Sequence, residues 1–473
     1  MRSRGIALLV LVLAGTLSGA RAAGPSFQTL AEQCRAAGGT ERTCKSLEAL
    51  GSAVAHVCRY AGGPDDACAF FKGKVISSVL VDAYETTWVH RALGLQRALG
   101  ATLPLGEALV PATHNSFNSA SYPPTVSGLD ANQQYTMTDQ LRMDMRGLEI
   151  DLHWFPSLTA APGDGGRAPL MCHATGPHAG CTIERNMRDG LLEVRAWLDA
   201  HPGEVVVLYL EDHLDDETGH ARAASIIEEV LGASSAADLI YRPAGACEDG
   251  MPLAVSAADI AAAGKQVVIT SACGIGVAWR GLVHSQDDHW VESGPSQFDA
   301  NPPCGFTPAE YASSWTRYYE DSTWLTTMVE GSADPMTADH FREMVACGVN
   351  MPSFDELAPE DERIASLVWS WAQDEPSSSA EGVCASHGAD GRFHAAGCGA
   401  VQRFACVSAG GVWSVSADAG GWGSGPESCA SGSVFAVPRN GPQAVALDAA
   451  KAAAGVTGVW LNYAADGAGW VAG

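Results

Sequence analysis

The sequence predicts an α/β fold: a TIM-like (β/α) barrel, preceded by a helical segment and followed by a small C-terminal disulfide-bonded β-rich module. Three observations carry this. "EVVVLYLED", residues 204–212, is a continuous apolar run of the kind that a parallel strand buried on both faces requires. It follows Met187, Leu191, Val194 and Leu198, which share one helical face, so helix, turn and strand succeed one another. Beyond residue 376 the composition shifts to Gly, Ala and Ser with spaced Trp and Cys.

Taken in order, the chain opens with Arg2 and Arg4, an apolar stretch from Ile6 to Leu17 and the small-residue site Ala20-Arg21-Ala22. That pattern predicts a secretory signal peptide over 1–22. Residues 23–103 place Leu30, Cys34, Leu47, Leu50, Val54 and Val57 at helical spacing and form the helical, disulfide-stapled segment. Residues 104–375 hold eight short apolar runs, matching the strand count of an α/β barrel: "EALVPATHN", "RGLEIDLHW", "APLMCHA", "EVVVLYLED", "KQVVITSA", "TWLTTMVE", "GVNMPSF" and "SLVWSWA". "PSSSA", 376–380, reads as a linker into the module over 376–473.

All 14 cysteines follow residue 22, and an even count in an exported chain favours disulfides. Spacing suggests Cys34 with Cys44 or Cys68, Cys172 with Cys181, and pairs among Cys384, Cys398, Cys406 and Cys429. No C-x-x-C pair is present, which argues against a zinc cluster or a thioredoxin-like site. A formal charge of −26 disfavours nucleic acid and anionic membrane as partners and favours divalent cations. No stretch after the signal is long and apolar enough to be read as a transmembrane segment. The expected location is therefore extracellular or periplasmic.

In a barrel the site forms at the C-terminal strand ends. Four successive runs end in His114-Asn115, in Glu149-Ile150-Asp151, in His173 and in Glu211-Asp212. Glu149 and Asp151, two apart on a strand, share one face. Two imidazoles can relay protons, and the oxygens of Asn115, Glu149, Asp151 and Glu211 form a hard-ligand set suited to calcium; two His with carboxylates also suit zinc or iron. Asp212 and Asp355 are strand-end acids expected to orient neighbours.

"THNSF", "TDQLRMDMRGLEIDLHW", "MCHA" and "HPGEVVVLYLEDH" together resemble the catalytic X region of phosphatidylinositol-specific phospholipase C, strongly over 108–213 and more weakly to about 373. The chain is most similar to secreted X-domain-only members, which lack pleckstrin, EF-hand, Y and C2 modules. The resemblance implies a distorted TIM barrel and cleavage of the glycerol–phosphate ester of an inositol phospholipid, the inositol 2-hydroxyl attacking phosphorus. It implies that His114 contacts the phosphoryl group and that His173 protonates the leaving oxygen. Asn115, Glu149, Asp151 and Glu211 would hold calcium, with Glu149 or Glu211 taking the hydroxyl proton. Metal-free members carry Arg where Asp151 stands, so a carboxylate there favours a metal. The basic residues that bind phosphorylated inositols have no clear counterpart; Arg280, Arg317 and Tyr318 are candidate head-group contacts, and Trp369 and Trp371 either line the site or pack in the core.

Two other readings fit the same residues. One is a glycerophosphodiesterase or sphingomyelinase D-like enzyme, which also pairs two His with Glu-x-Asp around a divalent ion. The other is a non-catalytic secreted glycan- or lipid-binding protein, because the spaced Trp and Cys of the C-terminal module faintly resemble a lectin-type module and so imply a glycan partner.

Overall fold

The computed structural model describes residues 78–123, 131–174, 178–182, 184–286, 290–293, 313–321, 336–380 and 382–473, with a few positions between 34 and 58. Ahead of the sheet stand α1 (Ser78–Tyr84) and α2 (Trp88–Gly100), the second capped by the Thr87 side chain accepting from His90 N. The parallel sheet then builds from β1 (Ala112–Thr113), β2 (Gly147–Pro156), β5 (Val206–His213), β6 (Val267–Ser271), β7 (His284–Ser285), β8 (Trp290–Ser293), β9 (Thr316–Glu320) and β10 (Met351–Phe354). Their order is β7-β6-β5-β2-β1-β10-β9-β8, every neighbouring pair parallel. The sheet curls as a half-barrel, and among the described residues no pairing joins the edge strands β7 and β8.

The alternation along β2 separates two environments. Leu148, Ile150 and Leu152 join a buried cluster with Leu191, Val194 and Leu198 of the helix over Met187–Ala200. Glu149 and Asp151 take the opposite, inner face. At the floor the strands approach so closely that a Cβ on Gly147 would lie 2.7 Å from both Ala112 Cβ and Met351 Cε; only glycine fits.

Several expected strands are revised. "APLMCHA" gives β3 (Arg167–Met171), which pairs antiparallel with β2 and with β4 (Arg185–Asn186); it is a hairpin arm beyond the barrel rim. "SLVWSWA" is not a strand. It holds the end of a short helix (Glu362–Ser366) and an isolated bridge from Trp371 to Phe393, because its tryptophans serve the core. The run over 323–330, residues 1–22 and Cys68 lie outside the described residues. β7, β8 and β9 were not expected as strands.

The C-terminal region forms β11 (Val383–His387), β12 (Phe393–Gly397), β13 (Arg403–Ser408), β14 (Trp413–Val415), β15 (Ser433–Phe435), β16 (Val459–Ala465) and β17 (Trp470–Ala472), a seven-stranded sheet in the order β12-β11-β16-β13-β14 with β15 on β13 and β17 on β16. One buried cluster crosses from Leu93 of α2 through Phe354, Trp369 and Trp371 to Phe393, Leu447 and Tyr463. Gln96 reinforces it, its Nε2 donating to Leu367 O at 3.1 Å and its Oε1 accepting from Trp369 N at 3.0 Å. The tryptophans of this region pack inward: Trp460 is fully buried with its Nε1 donating to Ala400 and Gly420 carbonyls, and Trp422 Nε1 donates to Leu461 O. That packing gives no support to a glycan-binding face, and the glycan expectation is not carried further.

Five disulfides are present among the described residues: Cys34–Cys44, Cys172–Cys181, Cys247–Cys273, Cys384–Cys398 and Cys406–Cys429. No helix among the described residues is long and apolar enough to cross a membrane.

Candidate active site

β1 is two residues long because Asn115 turns left-handed, with φ 45°, immediately after His114. Asn is among the few side chains that tolerate this region. Buried amides fix the turn. Gln133 Nε2 donates to His114 O at 2.6 Å and Phe354 O at 2.7 Å, and Gln140 Nε2 donates to Ser116 O and Tyr135 O. The turn directs Asn115 N–H at Glu149 Oε2, 3.2 Å away.

His114 is buried, and both its ring nitrogens face carboxylates. Nδ1 lies 3.1 Å from Asp355 Oδ2 and Nε2 lies 2.9 Å from Glu320 Oε1, with Glu149 Oε2 3.8 Å away. Burial alone would lower the imidazolium pKa; the charges of Glu320, Asp355 and Glu149 outweigh it and hold the group well above its usual value. Asp355 is itself pushed up to about 7, by burial first and against the pull of His114. Its backbone is pinned: Asp355 N donates to Asp321 Oδ2 and Arg363 Nη2 to Asp355 O, while Arg363 Nη1 bonds Asp321 at 2.6 Å.

Next to this pair lies the carboxylate cluster. In register, Asp151 of β2 stands opposite Glu211 of β5. One oxygen each from Glu149, Asp151 and Glu211 falls within a 4.8 Å span, and so do His114, Glu149 and Glu320. Tyr318 Oη donates to Glu149 Oε2 at 2.7 Å. Burial raises Glu149 to about 8 and, with Glu211 and Glu149 nearby, raises Asp151 well above its usual value. Glu211 goes the other way, because His213 Nε2 bonds it at 3.0 Å.

The Asn115 amide tests whether a cation fits. One of its terminal atoms lies 3.0 and 2.9 Å from the two Asp151 oxygens, the other 2.9 Å from His114 Nε2. With nitrogen toward Asp151 and oxygen toward His114 the amide bonds both neighbours; turned the other way, its oxygen joins the two of Asp151 as a cation ligand would. The set of Asn115, Glu149, Asp151 and Glu211 is all oxygen, as a hard divalent ion prefers.

His173 follows β3, with its Nδ1 3.5 Å from Asn118 Nδ2. Burial and the positive charge of His114 lower its pKa to about 4. His114 and Asn115 directly follow β1, Glu149 and Asp151 are the third and fifth residues of β2 at the level where β1 ends, Glu211 lies near the end of β5, and His173 follows the hairpin arm β3. Other expected contacts lie elsewhere. Arg317 is fully buried and donates to Gly348 O at 2.6 Å and to the Gly106 and Ser314 carbonyls, so it holds the barrel floor. Arg280 pairs with Glu248 at the surface. Asp212 binds His220 Nε2 at 2.8 Å on the outer face. Trp369 and Trp371 pack in the core.

Glu320 is the site residue that the sequence reading missed, together with the Asp321–Arg363 brace. A signal was present: "YYED", 318–321, ends a β-forming run just as "YLED" does at 209–212.

The Rv2075c PI-PLC-like domain model matches residues 72–361. The chain is 37% identical over 439 residues, 89% of its length and 88% of theirs, to the uncharacterized proteins Rv2075c and MT2135 of two Mycobacterium tuberculosis strains. Among solved structures it is similar to the phosphatidylinositol-specific phospholipase C of Listeria monocytogenes, with 12% identity, 59% of this chain and 97% of that one covered, and TM-score 0.37. A calcium-dependent phosphoinositol-specific phospholipase C from Pseudomonas sp. gives 13% identity, 56% and 92% coverage, and TM-score 0.31. On the match of the domain model and of the mycobacterial relatives, the chain belongs to the Rv2075c PI-PLC-like domain family.

Proposed function

We propose that this chain is a secreted phosphodiesterase of the phosphatidylinositol-specific phospholipase C type, close to the X-domain-only members. It cleaves the glycerol–phosphate ester of an inositol phospholipid by attack of the inositol 2-hydroxyl. The observation that carries this reading is the doubly carboxylate-bound His114 lying against the Glu149–Asp151–Glu211 cluster, with His173 close enough to sense its charge.

His114, protonated on both nitrogens, holds a phosphoryl oxygen and stabilises the charge that develops there. Glu149, raised to about 8 by burial, accepts the 2-hydroxyl proton once it has lost its own. In-line displacement puts the leaving oxygen opposite the attacking one, on the side of His173. His173 donates its proton to that oxygen and later takes one from water; an anionic phosphodiester beside it restores the basicity that burial removed. Asn115, Glu149, Asp151 and Glu211 would hold calcium, which supplies Lewis-acid stabilisation of the phosphoryl group and of the attacking oxygen. With four carboxylates around the pocket, a neutral polyol head group suits it better than a phosphorylated inositol. The disulfides fit an oxidising, exported setting.

The test is a panel of phosphatidylinositol, phosphatidylinositol bisphosphate, sphingomyelin and glycerophosphocholine, each with calcium and with chelator. Calcium-dependent turnover of phosphatidylinositol alone supports the reading. Turnover confined to the choline esters overturns it.

A further inference from the structure

A groove of about 640 Å³ opens beside the candidate site, between the turn after His114 and the β2–β3 hairpin. Phe117, Leu170 and Met171, all buried, line it, and Pro156 and Leu158 lie along its hairpin side, Leu158 fully exposed. Asn118 lines it as well, and the same Asn118 amide lies 3.5 Å from His173 Nδ1. The groove and the imidazole therefore share one residue.

We infer that this groove receives an acyl chain of the leaving diacylglycerol, so that the enzyme reads the lipid tail as well as the head group. The inference rests on the phospholipase C reading. In-line geometry places the departing oxygen at His173, and whatever is attached to that oxygen must continue on the same side. The groove begins there. Glu184, Arg185, Asn186 and Asp189 line one part of the groove, while the wall of Phe117, Pro156, Leu158, Leu170 and Met171 is the part that removes methylenes from water. Leu158, at the hairpin tip, is the first apolar surface such a chain meets from solvent.

The experiment uses the full chain with calcium and soluble substrates below their aggregation concentrations: glycerophosphoinositol and the dibutyroyl and dihexanoyl phosphatidylinositols. The expected result is a rise in kcat/KM with chain length, about two- to fourfold per methylene that enters the groove. Leu158→Glu flattens that series while leaving turnover of glycerophosphoinositol unchanged. Equal kcat/KM across the series, or a Leu158→Glu variant with an unaltered slope, overturns the groove assignment while leaving the catalytic reading intact. Absence of cyclic product from every substrate sinks the catalytic reading instead. Titration calorimetry then decides the groove by itself: dihexanoyl phosphatidylinositol must bind more tightly than glycerophosphoinositol to wild type, and equal affinities overturn it.

Discussion

Asp355 Oδ2 lies 3.1 Å from His114 Nδ1, joining the end of β10 to the end of the adjacent β1. The carboxylate fixes which way the ring faces and leaves Nε2 toward the pocket. Asp355→Asn keeps the shape and removes the charge. Turnover of phosphatidylinositol should fall by about 10²-fold or more, the scale of one positioned acid–base group. KM should change little, and steady-state kinetics separates the two. A fall in kcat/KM carried by KM alone would assign Asp355 to binding instead.

Glu320 bonds the other nitrogen of the same ring at 2.9 Å. Its charge is the largest of those that raise the His114 pKa against burial. Glu320→Gln should therefore lower the pKa of the His114 imidazolium. The alkaline limb of the pH–rate profile should move to lower pH. Imidazole NMR of the same variant gives the shift directly, and an unmoved resonance contradicts the electrostatic role.

Cation binding should release protons. Glu149, raised from 4.5 to about 8, carries a proton at pH 7 in the metal-free protein and must lose it to become a ligand. Calcium affinity should therefore rise with pH up to about 8. Stability follows the same linkage. Without the ion, the penalty of the buried Glu149 carboxylate is absent below 4.5 and accumulates as pH rises toward 8, so the Tm gained from calcium should be larger at pH 8 than at pH 6. Calorimetry in buffers of different ionisation enthalpy reads the released protons; identical heats in all buffers rule out the exchange.

The shared core predicts joint unfolding. Trp371 is buried in one cluster that includes Phe354 of the barrel sheet and Phe393 and Tyr463 of the C-terminal sheet, whose rings lie 5.7 and 5.9 Å from its own. Trp371→Ala should cost about 3–5 kcal/mol and lower a single transition reported alike by barrel and C-terminal probes. Two separate transitions, with only one displaced, would show that the two sheets fold independently.

How legible this was in the sequence differed from one segment to the next. The β5 run is apolar on both faces and the β2 run alternates apolar with acidic residues, so both strands could be read, and the polar residues within and after them marked the face to examine. The strand before His173 was read as a barrel stave, since an antiparallel hairpin arm and a parallel stave carry the same short apolar pattern. "SLVWSWA" misled because a buried connection between two sheets is as apolar as a strand. Glu320 was overlooked because it ends "WTRYYE", a run whose polar Arg317 is held in large part by distant carbonyls at Gly106 and Gly348. No local pattern reveals such partners. The Asp321–Arg363 brace is likewise 42 residues apart in sequence and meets only in the fold.

The most direct test of the account follows phosphorus. Phosphatidylinositol incubated with the protein and calcium should give the ³¹P resonance of a cyclic inositol phosphate, lost with chelator and lost in both His114→Ala and His173→Ala. A cyclic product formed undiminished by His114→Ala, or a wild-type reaction that yields only an acyclic phosphate from the outset, contradicts it.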